Sequence, residues 1–128
     1  MKYYLNKTTE YQFDEAVDKI TLALKNVGFG ILTEIDMKAT MKNKLDIDRR
    51  PYKILGACNP TFANSAVNLE EKIGILLPCN VTVIETENGK IDVSIMDPAV
   101  AMAVVDNPEL ESLAADVREK LITALGNI

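Results

Sequence analysis

The chain has 128 residues, 48% of them apolar and 26% charged, with a formal net charge of −5 and no histidine. That length suits one domain over residues 1–128, with a core that needs no disulfide or metal staple. The acidic balance argues against nucleic acid or a membrane surface as partner, since both call for clustered Lys and Arg. Without histidine the chain holds no Ser-His-Asp triad, no Cys-His nucleophile and no His-ligated zinc.

Residues 2–7 alternate weakly and run into Thr8-Thr9, which predicts a short first strand. The start turns polar at once and shows no apolar signal core, so a reducing cytoplasm is the expected setting. Thr9 with Gln12 three residues later reads as a capping box opening a helix over 10–27. Phe13, Ala16, Val17, Ile20, Ala23, Leu24 and Val27 form the apolar face of that helix, and Gly28 closes it. Phe29 to Met37 reads as a strand and Lys38 to Leu45 as a polar helical connection.

Pro51 opens a third strand over Tyr52 to Ala57, with Arg49-Arg50 before it as a solvated turn. Asn59-Pro60 is a helix-start signal, predicting a short helix through Thr61 to Val67 with Phe62, Ala63 and Ala66 inward. An apolar stretch from Gly74 leads into the alternating Val81-Thr82-Val83-Ile84-Glu85. Asn88-Gly89 then separates it from Lys90 to Met96, a strong hairpin signal. Asp97-Pro98 ends the hairpin, and 99–105 is expected as a short helix or buried turn. Asp106-Asn107-Pro108-Glu109 restarts a helix whose apolar face is Leu110, Leu113, Ala114, Val117, Leu121 and Leu125. The order β-α-β-(α)-β-α-β-β-(α)-α implies an α+β two-layer sandwich: a mostly antiparallel sheet of about five strands, with two long helices on one face.

Chemistry has few places to reside. The only two cysteines are Cys58 and Cys79, each followed by asparagine and each closing an apolar run. Their separation is not that of a Cys-x-x-Cys motif. Cys58 falls where a strand gives way to a helix, beside backbone N–H groups that stabilise a thiolate. Cys79 follows Pro78, which suggests a bulge or an edge strand. If the third and fourth strands are neighbours, both sulfurs face one crevice with Asn59 and Asn80 at its rim. The bland alternative is that the thiols pack as small hydrophobes, with Asn59 a cap and Asn80 a local turn former. Met37, Met41, Met96 and Met102 could join two thiolates around Cu(I), but their apolar positions favour core filling. Glu34, Asp36, Glu85, Asp92 and Asp97 form no pair suited to acid–base work. Gly28, Gly30, Gly56 and Gly74 match no phosphate loop.

The stretches Tyr52-Lys53-Ile54-Leu55-Gly56-Ala57-Cys58-Asn59-Pro60 and Leu76-Leu77-Pro78-Cys79-Asn80-Val81, followed by Asp97-Pro98, resemble the family called domain of unknown function 302. Glu34-Ile35-Asp36-Met37-Lys38-Ala39-Thr40 fits the same pattern, and the resemblance covers nearly the whole chain. It implies a small bacterial or archaeal protein with an α/β sandwich that forms a homodimer. The family's motif falls on Cys58, Asn59, Pro60, Pro78, Cys79 and Asn80, and the resemblance carries no activity with it.

Three functions are compatible with these residues. The favoured one is a binding or carrier module in which Cys58 and Cys79, with Asn59, Pro60, Pro78 and Asn80, hold a small molecule, a soft metal or a sulfane sulfur. A cysteine-dependent enzyme or redox protein is the second, and it needs Lys53, Lys72 or a helix N-terminus to lower a thiol pKa. The third is an oligomeric interaction protein whose cysteines are purely structural.

Overall fold

In the computed structural model, which describes residues 2–128, five strands make one antiparallel sheet in the order β1-β5-β4-β3-β2. They are β1 (Tyr4–Thr9), β2 (Gly30–Asp36), β3 (Tyr52–Cys58), β4 (Cys79–Glu85) and β5 (Ile91–Met96). The helices are α1 (Phe13–Asn26), α2 (Met37–Leu45), α3 (Pro60–Leu69), α4 (Pro98–Ala103) and α5 (Pro108–Gly126), with a short 3-10 helix at Glu71–Leu76. The α+β sandwich and the expected element order both hold.

Alternation decides which side of the sheet is buried. Leu55 and Ala57, then Cys79, Val81 and Val83, then Ile91, Val93 and Ile95 face the helices and are at most 6% exposed. Ala16, Ile20, Ala23 and Leu24 of α1 and Val117, Leu121, Ala124 and Leu125 of α5 cover them. Full burial of an aliphatic side chain stabilises by roughly 1.5–3 kcal/mol, so this layer carries the fold. Tyr4, Asn6, Tyr52, Asn80, Thr82, Ile84, Asp92, Ser94 and Met96 line a shallow concavity on the opposite face. A second, smaller apolar cluster joins Ala66 of α3, Ile73 of the 3-10 helix, Met102 of α4, and Leu110 and Ala114 of α5.

Two boundary expectations are corrected. Thr9 does not cap α1: it is the last residue of β1, opposite Ile91, and its hydroxyl donates to the Ile91 carbonyl at 3.2 Å. Gln12 holds the cap position with no side-chain bond. Pro78 marks neither a bulge nor an edge. The apolar residues before it coil as the 3-10 helix, and β4 begins at Cys79 as an inner strand in unbroken register with β3. The one register shift between β2 and β3 lies at Ile31/Thr33.

Elsewhere the local signals hold. Gly28 adopts φ +92 after α1, the conformation that favours glycine. The Asn88-Gly89 loop, with Gly89 at φ +82, joins β4 to β5. Asn59, Asp97 and Asn107 each cap a helix with a side-chain oxygen, and a proline follows each of them. Asp97 does more than turn the chain. Buried at 7% exposure, it accepts from Ala99 N at 3.0 Å and from Arg118 Nε at 3.1 Å, tying α4 to α5.

Candidate functional site

β3 and β4 are neighbours, and the connection between them runs through α3 and the 3-10 helix. Where β3 ends and β4 begins, the larger core meets the smaller cluster. The two do not close completely, and small residues are prominent in the gap: Ala57, Ala63, Ala66, Ala114 and the two cysteines. What remains is an apolar cavity of about 50 Å³. Phe29 and Phe62, Leu77 and Pro78, Pro98 and Met102, and Leu110, Leu113 and Val117 complete its wall.

Of the six residues read from the sequence as a site, four line this cavity: Cys58, Asn59, Pro78 and Cys79. Two do not. Asn80 pairs with Gly56 and points to the opposite face of the sheet, since it is one residue out of phase with Cys79. Pro60 is exposed and serves α3 as its first residue. The residues supplied by α4 and α5, Met102 and Leu110 above all, carry no local signal of a site. Their apolar spacing is that of any core helix.

Cys58 and Cys79 both line the cavity, yet they are not a pair: the two cysteines are not near each other. Cys79 sits across the ladder from Ala57, not Cys58, and both cysteines are free. Cys79 is 6% exposed and Cys58 half-buried. Burial pushes the Cys79 thiol up to about 11, and the Cys58 thiol adds to the rise. Cys79 is therefore a neutral thiol at any physiological pH.

The helix N-terminus beside Cys58 is closed, contrary to the expectation that its N–H groups would stabilise a thiolate. Asn59 Oδ1 accepts from Thr61 N at 3.1 Å and Phe62 N at 3.2 Å. Ala63 N donates to the Asn59 carbonyl at 2.9 Å, and Pro60 has no N–H to give. Asn59 is seated against Gly28: a Cβ there would lie 2.8 Å from Asn59 Nδ2. Among the described residues, no lysine lines the cavity either. Lys53 pairs with Glu34 at 2.8 Å, which raises its pKa, and Lys72 is exposed.

Among the described residues, no group of three or more Cys, Asp or Glu side chains gathers to hold a metal ion. Of the four methionines considered as soft ligands, Met102 lines the cavity; Met37, Met41 and Met96 do not. No helix among the described residues is long and apolar enough to cross a membrane.

The fold is a two-layer α+β sandwich, a five-stranded antiparallel sheet covered by helices. The family model described as "Domain of unknown function DUF302" matches residues 5–128, and the chain belongs to that family. The chain is also similar to an uncharacterised conserved DUF302 protein from Bacillus stearothermophilus, solved by crystallography. The two share 26% identity and superpose with a TM-score of 0.92, over 99% of this chain and 98% of that one. No curated protein matches the chain.

Proposed function

We propose that the protein is a small-ligand binding or carrier module whose site is the cavity walled by Cys58 and Cys79. The observation that carries this reading is that both cysteine residues, 21 positions apart in the chain, line the same apolar cavity. Convergence of that kind on an apolar hollow is what small-molecule sites require. Cys58 is the accessible group and the one a thiol-reactive ligand meets. Cys79 is wall, held neutral by its surroundings. A soft metal fits less well, since metal–sulfur bonds of about 2.3 Å demand converging thiolates.

Native-state titration with a small neutral alkylating reagent tests the reading. Cys58 is expected to react, and Ala63→Leu, which fills part of the cavity beside it, to slow that reaction. Two unreactive thiols, or a Cys58 rate indifferent to Ala63→Leu in a folded variant, would sink it. Free thiols suit a reducing compartment, so a cytoplasmic location belongs to the same proposal. The homodimer implied by the family resemblance is carried as a proposal too, and sedimentation equilibrium decides it.

A further inference from the structure

We infer that the cavity selects neutral, polarisable, apolar molecules of only a few heavy atoms and rejects anions. This rests on the reading of the cavity as the ligand site and adds the class of ligand.

Size sets the first limit. The cavity measures about 50 Å³. That is roughly a third of the 150 Å³ engineered cavity that takes benzene or xenon. It is large enough for a water, yet a water needs two to four polar partners. Asn59 is the only amide on the wall, and its oxygen already accepts two backbone bonds. An apolar guest loses nothing by comparison and recovers dispersion contacts that the lining otherwise lacks.

Charge sets the second limit. Among the described residues, no Lys, Arg, Asp or Glu lines the cavity. The adjacent helix end offers no free backbone N–H, because those donors are bonded to Asn59. An ion entering would lose its hydration and gain no charged partner, with the Asn59 amide nitrogen as the one side-chain amide donor on the wall. Three sulfur-bearing residues, Cys58, Cys79 and Met102, and two aromatic ones, Phe29 and Phe62, are among those that line the cavity. Such a lining is soft and favours a polarisable guest.

Xenon is the probe, applied under pressure to the wild-type protein and followed by methyl NMR. The expected result is a saturable shift confined to Ala57, Ala66, Met102 and their neighbours, unaffected by acetate or thiocyanate. Alkylation of Cys58 by iodoacetamide should slow about threefold at saturation, as for a thiol whose access is shared with the guest. Ala66→Leu should abolish the shift. Where that variant does not fold, competition of ethane with xenon on the wild-type protein supports the same conclusion, and absence of competition opposes it. No shift at the cavity residues overturns both the ligand-site reading and this inference. A xenon shift that acetate or thiocyanate removes, or Cu(I) binding that Met102→Leu abolishes, overturns the ligand class alone.

Discussion

Ala57 lies directly across the β3–β4 ladder from Cys79, so Cys58 falls one residue beyond the pairing. Alternation gives Ala57 and Cys79 the same buried face and leaves Cys58 at the strand end, next to the cap Asn59. Two cysteines that share the dipeptide Cys-Asn therefore have unequal surroundings.

That inequality predicts unequal reactivity. In the folded protein, iodoacetamide should modify Cys58 while Cys79 waits for unfolding, with rates separated on the order of a hundredfold or more. Peptide mapping by mass spectrometry reads both sites at once. Equal rates would contradict the burial described for Cys79.

Alkaline pH should weaken the fold through Cys79. Its thiol is at 9.0 when unperturbed and about 11 in the folded chain, so the folded state holds the proton more tightly. The contribution is fully present below pH 9 and is lost as pH rises toward 11, roughly 2–3 kcal/mol in all. Lys53, whose pKa is also raised, acts with the same sign at somewhat higher pH. Urea unfolding across this range should show the loss in Lys53→Met and a flatter profile in Cys79→Ala. An unchanged slope in Cys79→Ala refutes the assignment.

Gly56 is glycine because two side chains lie across it. A Cβ there would stand 2.7 Å from Pro78 Cγ and in contact with Thr33 Oγ1. Gly56→Ala should destabilise by about 1–3 kcal/mol, the usual cost of overpacking. Thr33→Ala in the same chain should return part of it. Thermal unfolding of the single and double variants checks this, and a neutral Gly56→Ala would be inconsistent with the packing.

Asp97→Ala removes a cap and an ion pair together and should cost about 3 kcal/mol. Asp97→Asn keeps an oxygen for Ala99 N and should cost less. Equal losses in the two variants would mean that the cap contributes nothing.

Asn59→Ala should cost about 1 kcal/mol, the usual value of an N-cap. It also frees the N–H groups of Thr61 and Phe62, now bonded to Asn59 Oδ1. Sulfate should then raise the melting temperature of the variant more than that of the wild type. An equal response would indicate that the capped end is already open to anions.

Much of the fold is legible locally because its signals are short-range. Asn59-Pro60 caps and starts a helix whatever surrounds it, Asn88-Gly89 turns a hairpin, and the spacing of Ala16, Ile20, Ala23 and Leu24 declares a buried helical face. Thr9 misled because Thr-x-x-Gln is a cap only if the threonine is free, and here its hydroxyl is bonded to Ile91 on a strand far along the chain.

The site is where tertiary structure decided. Residue types told which atoms could react: two thiols and no imidazole. Whether the Cys-Asn repeats form one crevice depended on register, since a shift of one residue moves a side chain through the sheet. Register sent Cys79 inward and Asn80 out, and placed Met102, Leu110 and Ala114, from helices that follow both motifs, on the same wall. Strand pairing and helix packing set a cavity's shape over distances that no local pattern spans.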